Sequence, residues 1–122
     1  MSVILTGNDL TLNELSNIVY DREKVELHPD YIKKIVKCRD YVDKIIEEDR
    51  VVYGLTTGFG KFANIRISTE HIEELQRNLI LSHATGVGEI LSIEETRVVM
   101  LLRINVLVKG HSGIRLSTLQ TL

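Results

Sequence analysis

The glycine-rich stretch at residues 53–60 contains the side chains best suited to chemistry. It reads YGLTTGFG. Glycine readily adopts backbone conformations that cost other residues energy, so this segment is predicted to be a loop. Catalytic groups often lie on loops held by rigid neighbours, and Tyr53 is the candidate here. Thr56 and Thr57 can hydrogen-bond to nearby backbone and hold the loop in shape. A plain connection between a strand-like segment at 51–53 and the next helix is the alternative.

The same stretch has some similarity to a phosphate-binding loop, but its spacing excludes that function. The phosphate-binding motif has four residues between its first glycine and a Gly-Lys pair, and a serine or threonine follows. Here five residues separate Gly54 from Gly60, and Phe62 follows Lys61. The expected hydroxyl ligand for magnesium is therefore missing.

His83 is the second candidate for a functional side chain. It continues the apolar positions Ile72, Leu75 and Leu79 at helical spacing and precedes a glycine-rich break at 86–88. The spacing predicts an inward-facing histidine at a helix end. It is either a structural residue bonded to backbone, or it lines a cleft and exchanges one hydrogen bond with a ligand.

Composition excludes several other classes of function. Charged residues make up 26% and the net charge is −2, which does not fit a basic nucleic-acid surface. No apolar run approaches the roughly 20 residues that span a bilayer. The histidines lack the i, i+4 spacing of a helical metal site, which argues against zinc. Cys38 is the single cysteine, so no internal disulfide forms and a reducing compartment is expected.

The remaining patterns predict a mainly α fold with short strands near the N-terminus. A capping box at Thr11–Glu14 opens the first helix, and a second one at Ser92–Glu95 opens a later helix. Segments 3–5 and 25–27 are predicted to pair as strands. Pro29 is predicted to start a helix that runs to about Asp49, and Ser68 is predicted to cap the next helix. Lys109-Gly110 is predicted to end the helix that follows Ser92, and a new helix is predicted to start at Leu116.

The helix that follows Ser92 is apolar on nearly every side from Val98 to Val108. Such a helix belongs inside a large core or bundle, and Arg103 and Asn105 argue against a membrane. The 122 residues have the size of one domain but offer too little to cover this helix. We therefore expect the front piece of a longer protein, or an obligate oligomer.

Four segments resemble the N-terminal part of the aromatic amino-acid ammonia-lyases, and most closely the branch that acts on histidine. They read VYGLTTGFGKF, LQRNL, SHATGVGE and LRINVLVKGHSGI, in order along nearly the whole chain. The resemblance implies a largely helical, cytoplasmic homotetramer with active sites shared between subunits. It implies elimination of ammonia from L-histidine to give urocanate, in histidine catabolism, with an electrophilic methylidene-imidazolone formed from an internal Ala-Ser-Gly.

The same resemblance assigns roles to three residues. Tyr53 matches the loop tyrosine that accepts a proton, His83 the residue that recognises the substrate ring, and Gly60 a glycine whose backbone lies against the substrate. Two alternatives stay open. One is a tyrosine or phenylalanine ammonia-lyase or aminomutase, and the other is a non-catalytic helical interaction domain.

The chain departs from the family pattern in one respect. It contains no Ala-Ser-Gly. Residues 1–122 are therefore expected to be the N-terminal segment of an ammonia-lyase-like domain. The electrophile and the arginine that holds the substrate carboxylate are expected beyond residue 122, and the segment alone is expected to be inactive.

Overall fold

A computed structural model describes residues 2–122 of the chain and shows the predicted, mainly helical fold. Its strands and α-helices are, in chain order, β1 (Ser2–Leu5), α1 (Leu12–Tyr20), β2 (Lys24–Leu27), α2 (Pro29–Glu47), α3 (Ile72–His83), α4 (Ile93–Leu107) and α5 (Leu116–Thr121). Two short 3-10 turns, Gly60–Phe62 and Thr69–His71, lie between α2 and α3. The residues group into two compact units, which are described separately below.

The core unit consists of the residues up to Val42 together with Ile90–Leu122. Strands β1 and β2 pair in parallel, with Val3 opposite Val25 and Leu5 opposite Leu27. This confirms the predicted pairing. The side chains of β1 alternate between exposed and buried, as expected for a strand with one face on a core.

Two capping boxes fix where α1 and α4 begin, as predicted. The Glu14 carboxylate accepts from the Thr11 N–H at 2.8 Å, and the Glu95 carboxylate accepts from the Ser92 N–H at 2.8 Å. In return, each hydroxyl accepts from the backbone N–H of its glutamate. These backbone and side-chain hydrogen bonds stabilise the ionised form and lower the pKa of both glutamates.

The interior of the core unit is one apolar cluster drawn from β1 and four helices. Its buried members are Val3, Leu5, Ile18, Val19, Ile35, Leu101, Leu107, Val108 and Leu119. Arg97 joins α4 to α1, because its Nη2 donates to the Ile18 carbonyl oxygen at 2.8 Å. Burial of this cluster is the main source of stability in the unit.

Helix α4 is only partly buried by the described residues. Only Leu101 and Leu107 are buried within it, whereas Val99 and Val106 are 59% and 55% exposed. The described residues cover only one of its apolar sides, which agrees with the expectation that this chain offers too little to cover the helix. None of the helices in residues 2–122 has both the length and the apolar character needed to cross a bilayer.

The loop unit consists of Asp43–Glu89 and ends in α3. Ser68 was predicted to cap this helix, but the N-cap position of α3 is His71, without a side-chain capping bond. The Ser68 hydroxyl instead pairs with Nδ1 of His71 at 2.7 Å. The 3-10 turn at Thr69–His71 moves the helix start beyond the reach of Ser68.

Candidate active site

Tyr53 begins a second turn, at residues 53–56, and is 63% exposed. Its hydroxyl oxygen accepts a hydrogen bond from the Gly60 N–H at 3.3 Å. Its ring meets the Phe59 ring edge to face, with centroids 5.8 Å apart and planes at 80°. The structure therefore brings together two of the three predicted site residues, Tyr53 and Gly60.

Two buried threonines shape the loop that carries Tyr53. The Thr56 hydroxyl accepts from the Val52 N–H at 2.9 Å and donates to the Arg50 carbonyl oxygen at 2.6 Å. The Thr57 hydroxyl accepts from the Gly54 N–H at 3.3 Å and donates to the Gly58 carbonyl oxygen at 3.0 Å. These bonds confirm the prediction that both threonines hold the loop through its backbone.

Gly54 is required by both its conformation and its surroundings. Its φ of +72° lies in the left-handed region, and an added Cβ would come within 2.8 Å of Cε1 of Phe59. Any other residue would therefore be strained and would push away the ring against which Tyr53 rests. At Gly60, in contrast, an added Cβ would meet no heavy atom of the described residues within 4 Å. The Gly60 backbone thus faces open space beside the Tyr53 hydroxyl.

The far side of the loop is held by an extended segment around Arg66. The Gly58 N–H donates to the Ile65 carbonyl oxygen, and the Ile67 N–H donates to the Thr56 carbonyl oxygen. Arg66 also forms an ion pair with Asp49, at the end of the turn after α2. Sequence reasoning missed this contact, since the two residues lie seventeen positions apart and no local pattern links them. It also missed the ring contact between Phe59 and Tyr53. The available signal was the presence of two aromatic residues six positions apart in one glycine-rich loop.

His83 is the last residue of α3 and is exposed, so the prediction that it faces inward is wrong for this chain. The helix has no buried residue; Ile72, Leu75 and Leu79 are only half-buried. Residues 84–91, which follow, are exposed as well. Within the described residues, no layer covers this end of the helix, and the apolar stripe therefore does not turn His83 into an interior.

The imidazole of His83 has a defined orientation despite this exposure. Its Nδ1 lies 2.8 Å from the Leu79 carbonyl oxygen and 3.0 Å from the Ser82 hydroxyl oxygen. Because a carbonyl oxygen can only accept, these partners assign the proton to Nδ1. The Nε2 atom of the neutral ring is then an acceptor that is available to a ligand.

The chain belongs to the aromatic amino acid lyase family. The model of that family matches residues 10–122. The chain is 49% identical over 120 residues to histidine ammonia-lyase of Alkaliphilus metalliredigens and 50% identical to that of Clostridium tetani. Each match covers 98% of this chain and 24% or 23% of the relative. The chain thus spans about a quarter of the length of the curated relatives that it matches.

Solved structures support the same family. Histidine ammonia-lyase from Trypanosoma cruzi is 43% identical, with a TM-score of 0.89 over 98% of this chain and 23% of that chain. Tyrosine aminomutase from Streptomyces globisporus is 32% identical, with a TM-score of 0.91 over the same shares of the two chains. These similarities confirm the helical lyase fold and the family inferred from the sequence motifs.

Proposed function

We propose that this chain is part of a histidine ammonia-lyase, which eliminates ammonia from L-histidine to give urocanate. The observation that carries the proposal is the identity of 49–50% to histidine ammonia-lyases, against 32% to a tyrosine aminomutase. The TM-scores of 0.89 and 0.91 do not separate the two activities, because both enzymes share the fold. The choice of substrate therefore rests on sequence similarity.

In this proposal Tyr53 is the group that accepts the proton. Its hydroxyl is on an exposed ring and is bonded to the Gly60 N–H at a long 3.3 Å, which leaves the oxygen accessible to a substrate. In its deprotonated form, the tyrosinate, the Tyr53 oxygen takes a proton from the carbon next to the imidazole ring and becomes the neutral hydroxyl. The electron pair of that C–H bond forms the new double bond, the C–N bond breaks, and ammonia leaves. Such positioned proton transfer typically contributes about 10²–10⁴ in rate.

His83 and Gly60 would bind the substrate. With its proton on Nδ1, His83 presents Nε2 as an acceptor for the imidazole N–H of histidine. Gly60 has open space where a side chain would stand, so its backbone can lie against the substrate. Both assignments use groups that the loop unit leaves accessible.

The family's methylidene-imidazolone supplies an electrophile that activates the amine as a leaving group. This chain contains no Ala-Ser-Gly from which that group could form, so its precursor would lie in another part of the protein. A homotetramer with shared active sites and a cytoplasmic location complete the proposal, and the single cysteine is consistent with that location.

The test is the activity of the complete protein that contains this chain, with L-histidine, L-tyrosine and L-phenylalanine as separate substrates. We expect urocanate, followed by its ultraviolet absorbance, with the highest kcat/KM for histidine. Residues 1–122 alone should form none, because they lack the precursor of the electrophile. A β-amino acid product from tyrosine would instead identify an aminomutase.

A further inference from the structure

We propose that Thr56 and Thr57 are positioning residues for Tyr53 in the elimination reaction. This inference rests on the proposed function and extends it to two buried residues of the same loop. The observation behind it is that the two threonine hydroxyls hold the residues on both sides of Tyr53, because they accept from the backbone N–H groups of Val52 and Gly54.

Val52, the residue before Tyr53, is held at both its N–H and its carbonyl oxygen. The Val52 N–H donates to the Thr56 hydroxyl at 2.9 Å, and the Val52 carbonyl oxygen accepts from the N–H groups of Leu55 and Thr56 at 3.1 and 3.0 Å. The Thr56 hydroxyl also donates to the Arg50 carbonyl oxygen. One side chain therefore links the backbone before Tyr53 to the turn that follows it.

The peptide group on the C-terminal side depends on Thr57. The Gly54 N–H, which belongs to the peptide between Tyr53 and Gly54, donates to the Thr57 hydroxyl at 3.3 Å. That hydroxyl donates onward to the Gly58 carbonyl oxygen at 3.0 Å. Backbone rotation at Tyr53 is thus restrained from both directions, which fixes where its side chain leaves the chain.

Burial makes these two hydroxyls effective restraints. Thr56 and Thr57 are 3% and 1% exposed, whereas Tyr53 is 63% exposed. Water cannot readily replace a buried hydroxyl, so its loss leaves the Val52 or Gly54 N–H without a partner. The exposed tyrosine gains little orientation from apolar packing apart from its edge contact with Phe59. The hydrogen bonds between the two threonine hydroxyls and the neighbouring backbone therefore have to fix its position.

The expected consequence lies in kcat rather than in KM. Tyr53 acts in the proton transfer, and interactions made only in the transition state change kcat. A misplacement of roughly 1 Å can cost about 100-fold in rate. Thr57→Val keeps the shape of the side chain and removes the hydroxyl, so we expect kcat to fall by about 10- to 100-fold, with a much smaller change in KM.

The experiment compares variants of the complete protein in urocanate formation. Thr57→Ser keeps the hydroxyl and should recover most of the wild-type kcat, and Thr56→Val should show the same selective loss as Thr57→Val. Ser92→Ala, which removes the cap of α4 in the core unit, is the control for a general loss of stability and should keep the wild-type kcat. Amide hydrogen exchange should become faster at residues 52–54 in Thr57→Val and stay unchanged in Ser92→Ala.

Several results would overturn the role of the threonines. These are a kcat close to wild type in both valine variants, a rise in KM alone, no recovery in Thr57→Ser, or unchanged exchange at residues 52–54. If Thr57→Val does not fold, Thr56→Val and Thr57→Ser decide the question by the same criteria. A wild-type protein that forms no urocanate would refute the proposed function itself. An active wild type whose two valine variants keep the wild-type kcat would refute only this inference.

Discussion

The core unit and the loop unit are stabilised in different ways. The core unit buries a cluster of apolar side chains from β1 and four helices. In the described part of the loop unit, the buried side chains are Ile45, Thr56 and Thr57, and two of these three are polar. The first unit is thus held by apolar packing, and the second by hydrogen bonds from buried hydroxyls to backbone.

This difference explains why the candidate active site lies where it does. Apolar packing is insensitive to direction, so it gives stability without fixing a particular polar atom. Hydrogen bonds are directional, and the bonds of Thr56 and Thr57 define the backbone on either side of Tyr53. A unit with few buried apolar contacts can also open locally at low cost, which agrees with the proposal that this loop admits a substrate.

The largest effect is expected from a substitution that creates a cavity in the apolar cluster of the core unit. Leu5 is 1% exposed, and Leu5→Ala should lower the free energy of unfolding by about 2–5 kcal/mol. Leu12 is 83% exposed in this chain, and Leu12→Ala should change it by less than about 0.5 kcal/mol. Urea unfolding of residues 1–122 measures both. Equal effects would show that the cluster does not carry the stability of this unit.

The corresponding test of the loop unit changes activity and leaves folding intact. In the complete protein, Tyr53→Phe removes one hydroxyl from an exposed ring and should lower kcat by about 100-fold or more. Tyr20→Phe, at a residue of similar exposure in the core unit, is the matched control and should have no effect. A near-normal kcat in Tyr53→Phe would reduce Tyr53 to a loop residue without a catalytic role.

The sequence predicted the core unit well, because its signals are local. The capping boxes at Thr11 and Ser92, the pairing of 3–5 with 25–27 and the helix end near Gly110 each follow from a few neighbouring residues. Such patterns satisfy free backbone groups within one turn, so distant residues rarely override them. The family was also recognisable from four short motifs.

The sequence predicted less of the loop unit, because its contacts join distant residues. The Asp49–Arg66 pair and the Tyr53–Gly60 bond depend on how the loop folds back on itself. The inward direction of His83 was inferred from helical spacing, but spacing says only which residues share a face. Whether that face is covered depends on other parts of the protein. The same reason explains the exposed side of α4.

A smaller effect is expected from the residue that we propose recognises the substrate ring. In the complete protein, His83→Leu should lower kcat/KM for histidine by a factor that corresponds to about 1–3 kcal/mol of lost transition-state stabilisation. The reason is that a polar edge of the substrate loses its partner. It should at the same time relatively favour phenylalanine, whose ring has no polar edge. Measurement of kcat/KM for histidine, tyrosine and phenylalanine in the wild type and in His83→Leu tests this. An equal loss for all three substrates, or a lower Tm alone, would make His83 a structural residue.

The smallest expected effect returns to the core unit and concerns acid. The pKa of Glu95 is lowered by hydrogen bonds from the Ser92 backbone and side chain. A lowered pKa in the folded state means that this contribution to stability is present above the unfolded pKa, near 4.5, and is lost as the pH falls through the lower folded value. Glu95→Gln keeps a capping acceptor but removes the charge. The Tm of wild type should therefore exceed that of Glu95→Gln slightly at neutral pH, and the gap should close as the pH falls below about 4.5.

Glu94→Gln is the control, because Glu94 lies in the same first turn but is not the capping-box residue. A gap that stays constant between pH 6 and pH 3, or one of equal size in Glu94→Gln, would show that the charge of Glu95 does not stabilise the start of α4.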